Sequence, residues 1–582
     1  MSREISALQK ARAAYQPKLP KALRTGRVAV QIGAPTEPAT HRNEIRKLFP
    51  NTYGQPEVKI VALRPSTGLR MAQDALRQAQ DALRQAQDAL RQAQDDGGLT
   101  GAPLTVGAVL SGGQAPGGHN VIAGLFDALK AANPESRLLG FLKGPGGVIE
   151  GNCRELTADL IEPFRNTGGF DMIMSGRDKI EKPEELAACK ANFERMGLDG
   201  LVIIGGDDSN TNAAVLAEYL RAQGSKTCVI GVPKTIDGDM KNEQIEASFG
   251  FDTASKLYSE LIGNICRDAT SAVKYWHFIR LMGRAASHVA LECALQTHPN
   301  IALISEEIDQ KGSTLREIVD HIAEIVMKRS AAGKDYGILI VPEGLPEFIP
   351  EIRALIQELS TILGKDEEYI HGLPDHSERL QYVTDLLSDH SARVYGFLPV
   401  EIQEVLLKRD SHGNVPLSQV ETERLLIDRV SDKFRLMEEH GEKVPDFSPL
   451  SHFFGYEGRC APPSNFDADY CYSLGFAAAQ LVRAGLTGYT VNVQNLTKPS
   501  DEWVAGGTPV TMMLNIENRK GKAVPVIKKA LVDLDGAPFR LFAEHREAWA
   551  IEDCYVFPGP IQYFGPSEVC DAPTMTLELE KG

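Results

Sequence analysis

The stretch LDGLVIIGGDDSN, residues 198–210, runs from an uninterrupted apolar core, Leu201 to Ile204, through two glycines into two adjacent carboxylates, Asp207 and Asp208. Two other stretches have the same plan: TVGAVLSGGQAPGG (105–118) and KTCVIGVPKTIDGD (226–239). Continuous Val, Ile and Leu without polar alternation suits strands covered on both faces, and helix-like segments separate the three runs. The pattern predicts an α/β fold with a doubly wound, mainly parallel sheet. Ligands of such sheets bind outside the carboxyl ends of the strands, so Ser111 to Gly118, Gly205 to Asn210 and Pro233 to Asp239 are predicted to share one crevice.

Composition sets wide limits. With 582 residues, 43% hydrophobic and 24% charged, the chain is long enough for two or more domains with full cores. No apolar stretch approaches the roughly 20 residues needed to span a bilayer, and Met1 to Arg24 lacks the apolar core of a signal peptide, so a cytoplasmic protein without membrane contact is expected. Nine cysteines (153, 189, 228, 266, 293, 460, 471, 554 and 570) show no CxxC or paired metal spacing, which favours reduced thiols over disulfides or zinc. A net charge of −16 argues against nucleic acid as a partner. It leaves phosphorylated substrates open, since a phosphate site needs only locally placed Arg and Lys.

SGGQAPGGHN (111–120) precedes an amphipathic helix, VIAGLFDALKAA. Adjacent glycines let backbone amides approach an anion, and the helix that follows presents free N–H groups and a positive dipole end. The spacing matches neither GxGxxG nor the Walker sequence, so neither a dinucleotide fold nor a P-loop is supported. Asp207, Asp208, Asp237 and Asp239 at the ends of adjacent strands would repel one another without a cation among them. Oxygen-only donors beside a phosphate cradle favour Mg²⁺, and Lys234 adds a fixed positive charge. Any one of these Asp residues alone reads as a turn former or helix cap; two such loops beside a glycine cradle read as a site. Phosphoryl transfer depends on positioning and charge neutralisation, with a carboxylate to take the acceptor proton.

The heptapeptide AQDALRQ occurs three times within residues 72–94, with Leu76, Leu83 and Leu90 seven apart. A subunit-pairing coiled coil is one reading. A single helix, solvated or lying on its own subunit, is the stronger one, because three heptads with Ala at half the seam bury little area.

Taken together, GGQAPGGHNVI (112–122), SGRDKI (175–180), GGDDSNTN (205–212), PKTIDGD (233–239), SFGFDTA (248–254), KYWHFIRLMGRAASHVALECALQTHPN (274–300), PEG (342–344) and GYEGR (455–459) resemble the phosphofructokinase family, specifically its long pyrophosphate-dependent type. The resemblance runs from about residue 105 to near the C-terminus. It implies two doubly wound Rossmann-like domains with the active site between them, and reversible transfer of a phosphoryl group from pyrophosphate to the 1-hydroxyl of fructose 6-phosphate. By that resemblance Asp237 is the base, Asp207 holds Mg²⁺, and Gly112, Gly113 and Arg177 contact the diphosphate. Thr235, Ile236, Asp237, Met282, Gly283, Arg284, Glu343, Tyr456, Glu457, Gly458 and Arg459 fall at sugar-phosphate positions. Lys274 and Tyr275 match a pair contributed by the adjacent subunit, which implies a homo-oligomer.

Donor choice follows from two of these positions. Asp208 and Lys234 stand where the family's ATP-dependent members typically have glycine. A carboxylate at 208 would fill and repel the α-phosphate of ATP, and Lys234 would neutralise the leaving group. The competing readings are an ATP-dependent phosphofructokinase and a non-catalytic regulatory subunit; the latter is expected to lack some of Asp207, Asp237, Lys234 and Arg284, all of which are present. The expected organisation is an N-terminal extension (1–100, with VAVQIG and VKIVAL as strand candidates), a donor domain (101–255 and 457–510), a fructose-phosphate domain (256–456) that contains a helical insertion (347–446), and a C-terminal segment (511–582) packed on the body.

Overall fold

The computed structural model describes residues 12–25, 28–63, 101–409, 419–519, 522–561 and 571–582. The heptad segment 72–94 lies outside these residues. The chain forms two compact units: Met1–Ala254 with Glu457–Ala530 and Gln562–Pro573, and Ser255–Tyr456 with Leu531–Ile561 and Thr574–Gly582.

In the first unit the chain lays down β1 (Val28–Pro35), β2 (Pro56–Ala62), β3 (Thr105–Ser111), α1 (Gly118–Ala132), β4 (Arg137–Phe141), β5 (Cys153–Glu155), β6 (Ser175–Gly176), β7 (Gly200–Gly205), α2 (Asp207–Ala222), β8 (Cys228–Thr235) and β9 (Phe249–Gly250). Helix α3 (Phe251–Ala272) leads into the second unit, which holds β10 (Tyr275–Leu281), β11 (Ile301–Ala302), β12 (Tyr336–Pro342), α4 (Pro350–Gly372), α5 (Thr422–Glu439) and β13 (Pro449–Phe454). The chain then returns to the first unit with α6 (Asn465–Arg483), β14 (Tyr489–Gln494), β15 (Val504–Pro509) and a hairpin of β16 (Leu514–Arg519) and β17 (Lys522–Ile527).

The three apolar runs are neighbouring parallel strands. The first sheet has the order β1-β2-β15-β14-β8-β7-β3-β4-β5, with β6 also on β3 and β9 on β8. Strands β4, β3, β7, β8 and β14 are parallel, and the antiparallel pairs lie toward the two edges. Both N-terminal strand candidates are strands of this sheet rather than parts of a separate extension, because β2 pairs with β15. Every residue of β7 is buried, as a strand covered on both faces requires. Pairing of Leu110 with Ile204 and of Gly205 with Pro233 brings the strand ends level, so the loops that follow emerge together.

Helix α6 lies against α1, the helix behind the glycine cradle. A Cβ at Gly124 would lie 2.2 Å from the Tyr472 carbonyl oxygen, and one at Gly475 would lie 2.1 Å from that of Val121. Backbone contact this close leaves no room for a methyl group, so Gly124→Ala is expected to destabilise the protein by about 1–3 kcal/mol, read as a lower urea midpoint.

The second unit is built on a four-stranded parallel sheet, order β11-β12-β10-β13. Its insertion between β12 and β13 is helical. Leu355 and Leu359 of α4 and Leu426 and Val430 of α5 share one apolar cluster with Phe278, Leu339 and Val341 of the sheet, so the insertion is part of the unit's core. The C-terminal segment divides between the two units, its residues 531–561 and 574–582 belonging to the second.

Candidate active site

In the first unit, Gly112 and Gly113 follow directly on β3. Gly112 has φ +82°, a conformation that favours glycine, and its amide donates to the Gly176 carbonyl at 2.8 Å. A Cβ on Gly112 would lie 3.5 Å from Lys234 Nζ; one on Gly113 would lie 3.5 Å from Arg459 Nη2 and 4.0 Å from Arg177 Nη2. Arg459 also donates to the Gln114 side chain. The two glycines are therefore ringed by a lysine and two arginines. Arg459, expected at the sugar phosphate, stands here beside the cradle.

The acids come from the next two strands. Asp207 and Asp208 open α2 after the N-cap Gly206, where the helix dipole favours carboxylates. Their surroundings differ. Asp208 pairs with Lys179 Nζ at 3.6 Å, and Lys179 is fixed nearby because the Ile180 amide donates to Asn212 of α2 at 3.1 Å. Asp207 faces Lys529 Nζ at 3.6 Å, and the same ammonium lies 3.7 Å from Asp239.

After β8 the TIDGD loop turns at Gly238, φ +73°. The Asp237 amide donates to Thr235 Oγ1 at 3.0 Å, which fixes the base candidate relative to the strand end. Ile236 is buried. Lys234 is buried too, and burial pulls its pKa down to about 8 against the opposing influence of Asp237, Asp207 and Asp239. It thus remains mostly an ammonium at neutral pH, although little water reaches it.

Residues outside the expected set support this arrangement. Gly250, φ +93°, packs on Ala115; a Cβ there would lie 2.7 Å from that of Ala115. The Asp467 carboxylate accepts hydrogen bonds from the Gly250 and Thr253 amides at 3.0 and 2.9 Å. Burial and neighbouring Asp252 push the Asp467 carboxyl above the usual carboxylate range. Lys179 lies within the SGRDKI motif, yet nothing in the motif marks it as the partner of Asp208. Lys529 carries no sequence signal.

The second unit carries Met282, Gly283, Arg284, Glu343 and Tyr456 at the carboxyl ends of β10, β12 and β13, aligned by pairing of Leu281 with both Pro342 and Phe454. Glu343 is buried, and its carboxylate accepts from the Gly283 amide at 3.0 Å. Gly283 has φ +145°. A Cβ on Gly344 would lie 1.9 Å from the Arg284 carbonyl, and one on Gly455 would lie 2.7 Å from Met282 Cε. Arg284 and Tyr456 are exposed. Lys274 is exposed at the start of β10, its ammonium 4.6 Å from the Tyr275 ring centre. The 455–459 motif straddles the boundary between units, with Tyr456 in the second and Glu457, Gly458 and Arg459 in the first.

Mg²⁺ fits the acids. Asp207 and Asp239 offer oxygen donors, and an ammonium already stands between them. Among the described residues no three His, Cys, Asp or Glu side chains form a metal cage. Mg²⁺ usually takes one or two carboxylates from the protein and completes its octahedron with water and substrate phosphates.

A parallel α/β sheet whose strand ends carry a basic-rimmed glycine cradle beside paired acids defines a phosphate-handling protein. Residues 105–378 match the family model described as Phosphofructokinase. Among curated relatives, the pyrophosphate–fructose 6-phosphate 1-phosphotransferases of Porphyromonas gingivalis and Treponema pallidum are 52% and 50% identical, over 99% of this chain and 99% and 97% of theirs. A solved structure described as a pyrophosphate-dependent phosphofructokinase from Marinobacter aquaeolei superposes with TM-score 0.51 at 14% identity, covering 78% of this chain and 93% of that one; at that identity it supports the fold alone. The chain belongs to the phosphofructokinase family, among the pyrophosphate–fructose 6-phosphate 1-phosphotransferases.

Proposed function

We propose that the protein transfers a phosphoryl group reversibly between pyrophosphate and the 1-hydroxyl of fructose 6-phosphate. The observation that carries this reading is the buried Lys234 ammonium, placed against Gly112. Asp237 takes the proton from the 1-hydroxyl as that oxygen forms its bond to phosphorus and the bridging P–O bond of pyrophosphate breaks. Lys234, Arg177 and Arg459 neutralise the charge that gathers on the departing phosphate. In the reverse direction protonated Asp237 returns its proton to the sugar oxygen. Asp207, with Asp239 beside it, would hold Mg²⁺, which when bound supplies positive charge to the phosphate oxygens.

In the second unit Glu343 accepts hydrogen bonds from sugar hydroxyls, and Arg284 forks onto the 6-phosphate. Thr235, Ile236, Met282, Gly283, Tyr456, Glu457 and Gly458 shape the sugar-phosphate surroundings. Exposed Lys274, with the half-buried Tyr275 ring beneath its ammonium, reaches a second copy of the chain in a homo-oligomer. The eight described cysteines are free thiols, the state a reducing cytoplasm maintains.

A coupled assay supplied with each donor tests the reaction. Turnover with pyrophosphate is expected, and turnover with ATP alone would sink the reading. Asp208, held by Lys179, excludes the nucleotide by bulk and by charge. Asp208→Gly is therefore expected to raise kcat/KM for ATP at least roughly tenfold, the scale of a single removed repulsion, while pyrophosphate turnover falls. An unchanged donor preference would refute the steric role of Asp208.

A further inference from the structure

Lys529 lies just beyond the β16–β17 hairpin, far in sequence from any residue of the site. Its ammonium nevertheless stands 3.6 Å from Asp207 and 3.7 Å from Asp239. The approach is built in by the backbone, because the next amide, Ala530, donates to the Asp239 carbonyl at 2.7 Å. The side chain is 44% exposed and its ammonium is carried on a four-carbon stem. Both distances are those of ion pairs, so the two carboxylates share the charge of this ammonium. Asp207 and Asp239 come from adjacent strand ends, and a positive charge between them offsets their repulsion.

We propose that Lys529 is a donor-site cation with two positions. Without ligand it occupies the place of the divalent ion between Asp207 and Asp239, and when metal and diphosphate bind it turns its charge to the diphosphate. An ammonium and a divalent ion at one pair of acids repel each other, which favours departure of the ammonium when the metal binds. The nearest new anion is then the diphosphate that the metal accompanies. Metal alone is opposed by Lys529, whereas metal with diphosphate is favoured by it, which couples the two ligands. This inference rests on the pyrophosphate reading above and adds a residue to its donor site.

The test uses the intact protein, Lys529→Met and Lys529→Arg. Mn²⁺ binding to protein without substrate, followed by electron paramagnetic resonance, is expected to be at least about fivefold tighter in Lys529→Met, the size of a typical coupling between two sites. The KM for pyrophosphate should rise at least about fivefold, with kcat changed less, and Lys529→Arg should stay near the parent in both measurements. Unchanged or weaker Mn²⁺ binding in Lys529→Met would overturn the proposal, as would an unchanged KM. Failure of the parent protein to use pyrophosphate would instead refute the donor assignment, and the Mn²⁺ comparison needs no donor.

Discussion

Asp237→Asn is expected to lower kcat by roughly 10²–10⁴ fold, the usual contribution of a positioned acid–base group, in both directions of the reaction. The amide keeps the shape of the carboxylate but cannot accept the hydroxyl proton. Its backbone position is secured independently, through the hydrogen bond that the Asp237 amide donates to Thr235 Oγ1 and the turn at Gly238, so the loop should stay in place. The KM for fructose 6-phosphate is therefore expected to move by only a few-fold, since the lost interaction is made chiefly in the transition state. Steady-state rates in both directions, beside a thermal melt, check this. A loss of less than tenfold with an unchanged melt would remove Asp237 from the role of base.

Lys234→Met is expected to cut kcat/KM for pyrophosphate by roughly 10²–10³ fold, the scale of one preorganised charge removed from a developing anion. The pH profile gives a sharper test. Burial lowers Lys234 to about 8 from an ordinary 10.5. In the free enzyme the useful ammonium is then lost above about pH 8, and kcat/KM for pyrophosphate should fall about tenfold per pH unit beyond it. The Met variant should lack that limb.

Stability has the opposite sign. Because the folded pKa is below the unfolded one, the unfolded chain binds more protons between about pH 8 and 10.5, and Lys234's contribution to stability becomes more favourable as pH rises through that window. Below about pH 8 both states carry the charge and the folded state bears the full burial cost. At pH 7 Lys234→Met is expected to melt higher than the parent while turning over far more slowly, a trade common at active sites. A lower melt would show that the three acids outweigh burial at this lysine.

Much of the architecture is legible in the chain because it rests on local chemistry. Uninterrupted runs such as Leu201 to Ile204 suit a strand buried on both faces, and the glycines and acids that follow mark its end. Motif residues such as Gly112, Lys234 and Asp237 are readable for the same reason, each sitting within a few positions of a strand terminus that fixes its direction.

Tertiary structure decided which charges face one another. Asp207 and Asp208 are adjacent in sequence and look equivalent, yet the first turn of α2 directs one toward Lys529 and the other toward Lys179. Those lysines come from the far end of the chain and from the loop after β6, and electrostatic partners carry no periodicity that could announce them. The same holds for Arg459 beside Gly113 and for Asp467 beneath Gly250. A strand end is specified by its own residues, so the sequence by itself determined the parallel sheet, the cradle and the acids. The cations that balance those acids are specified only by how distant segments pack, so the fold alone decided that Asp208 is held by one lysine while Asp207 shares another with Asp239.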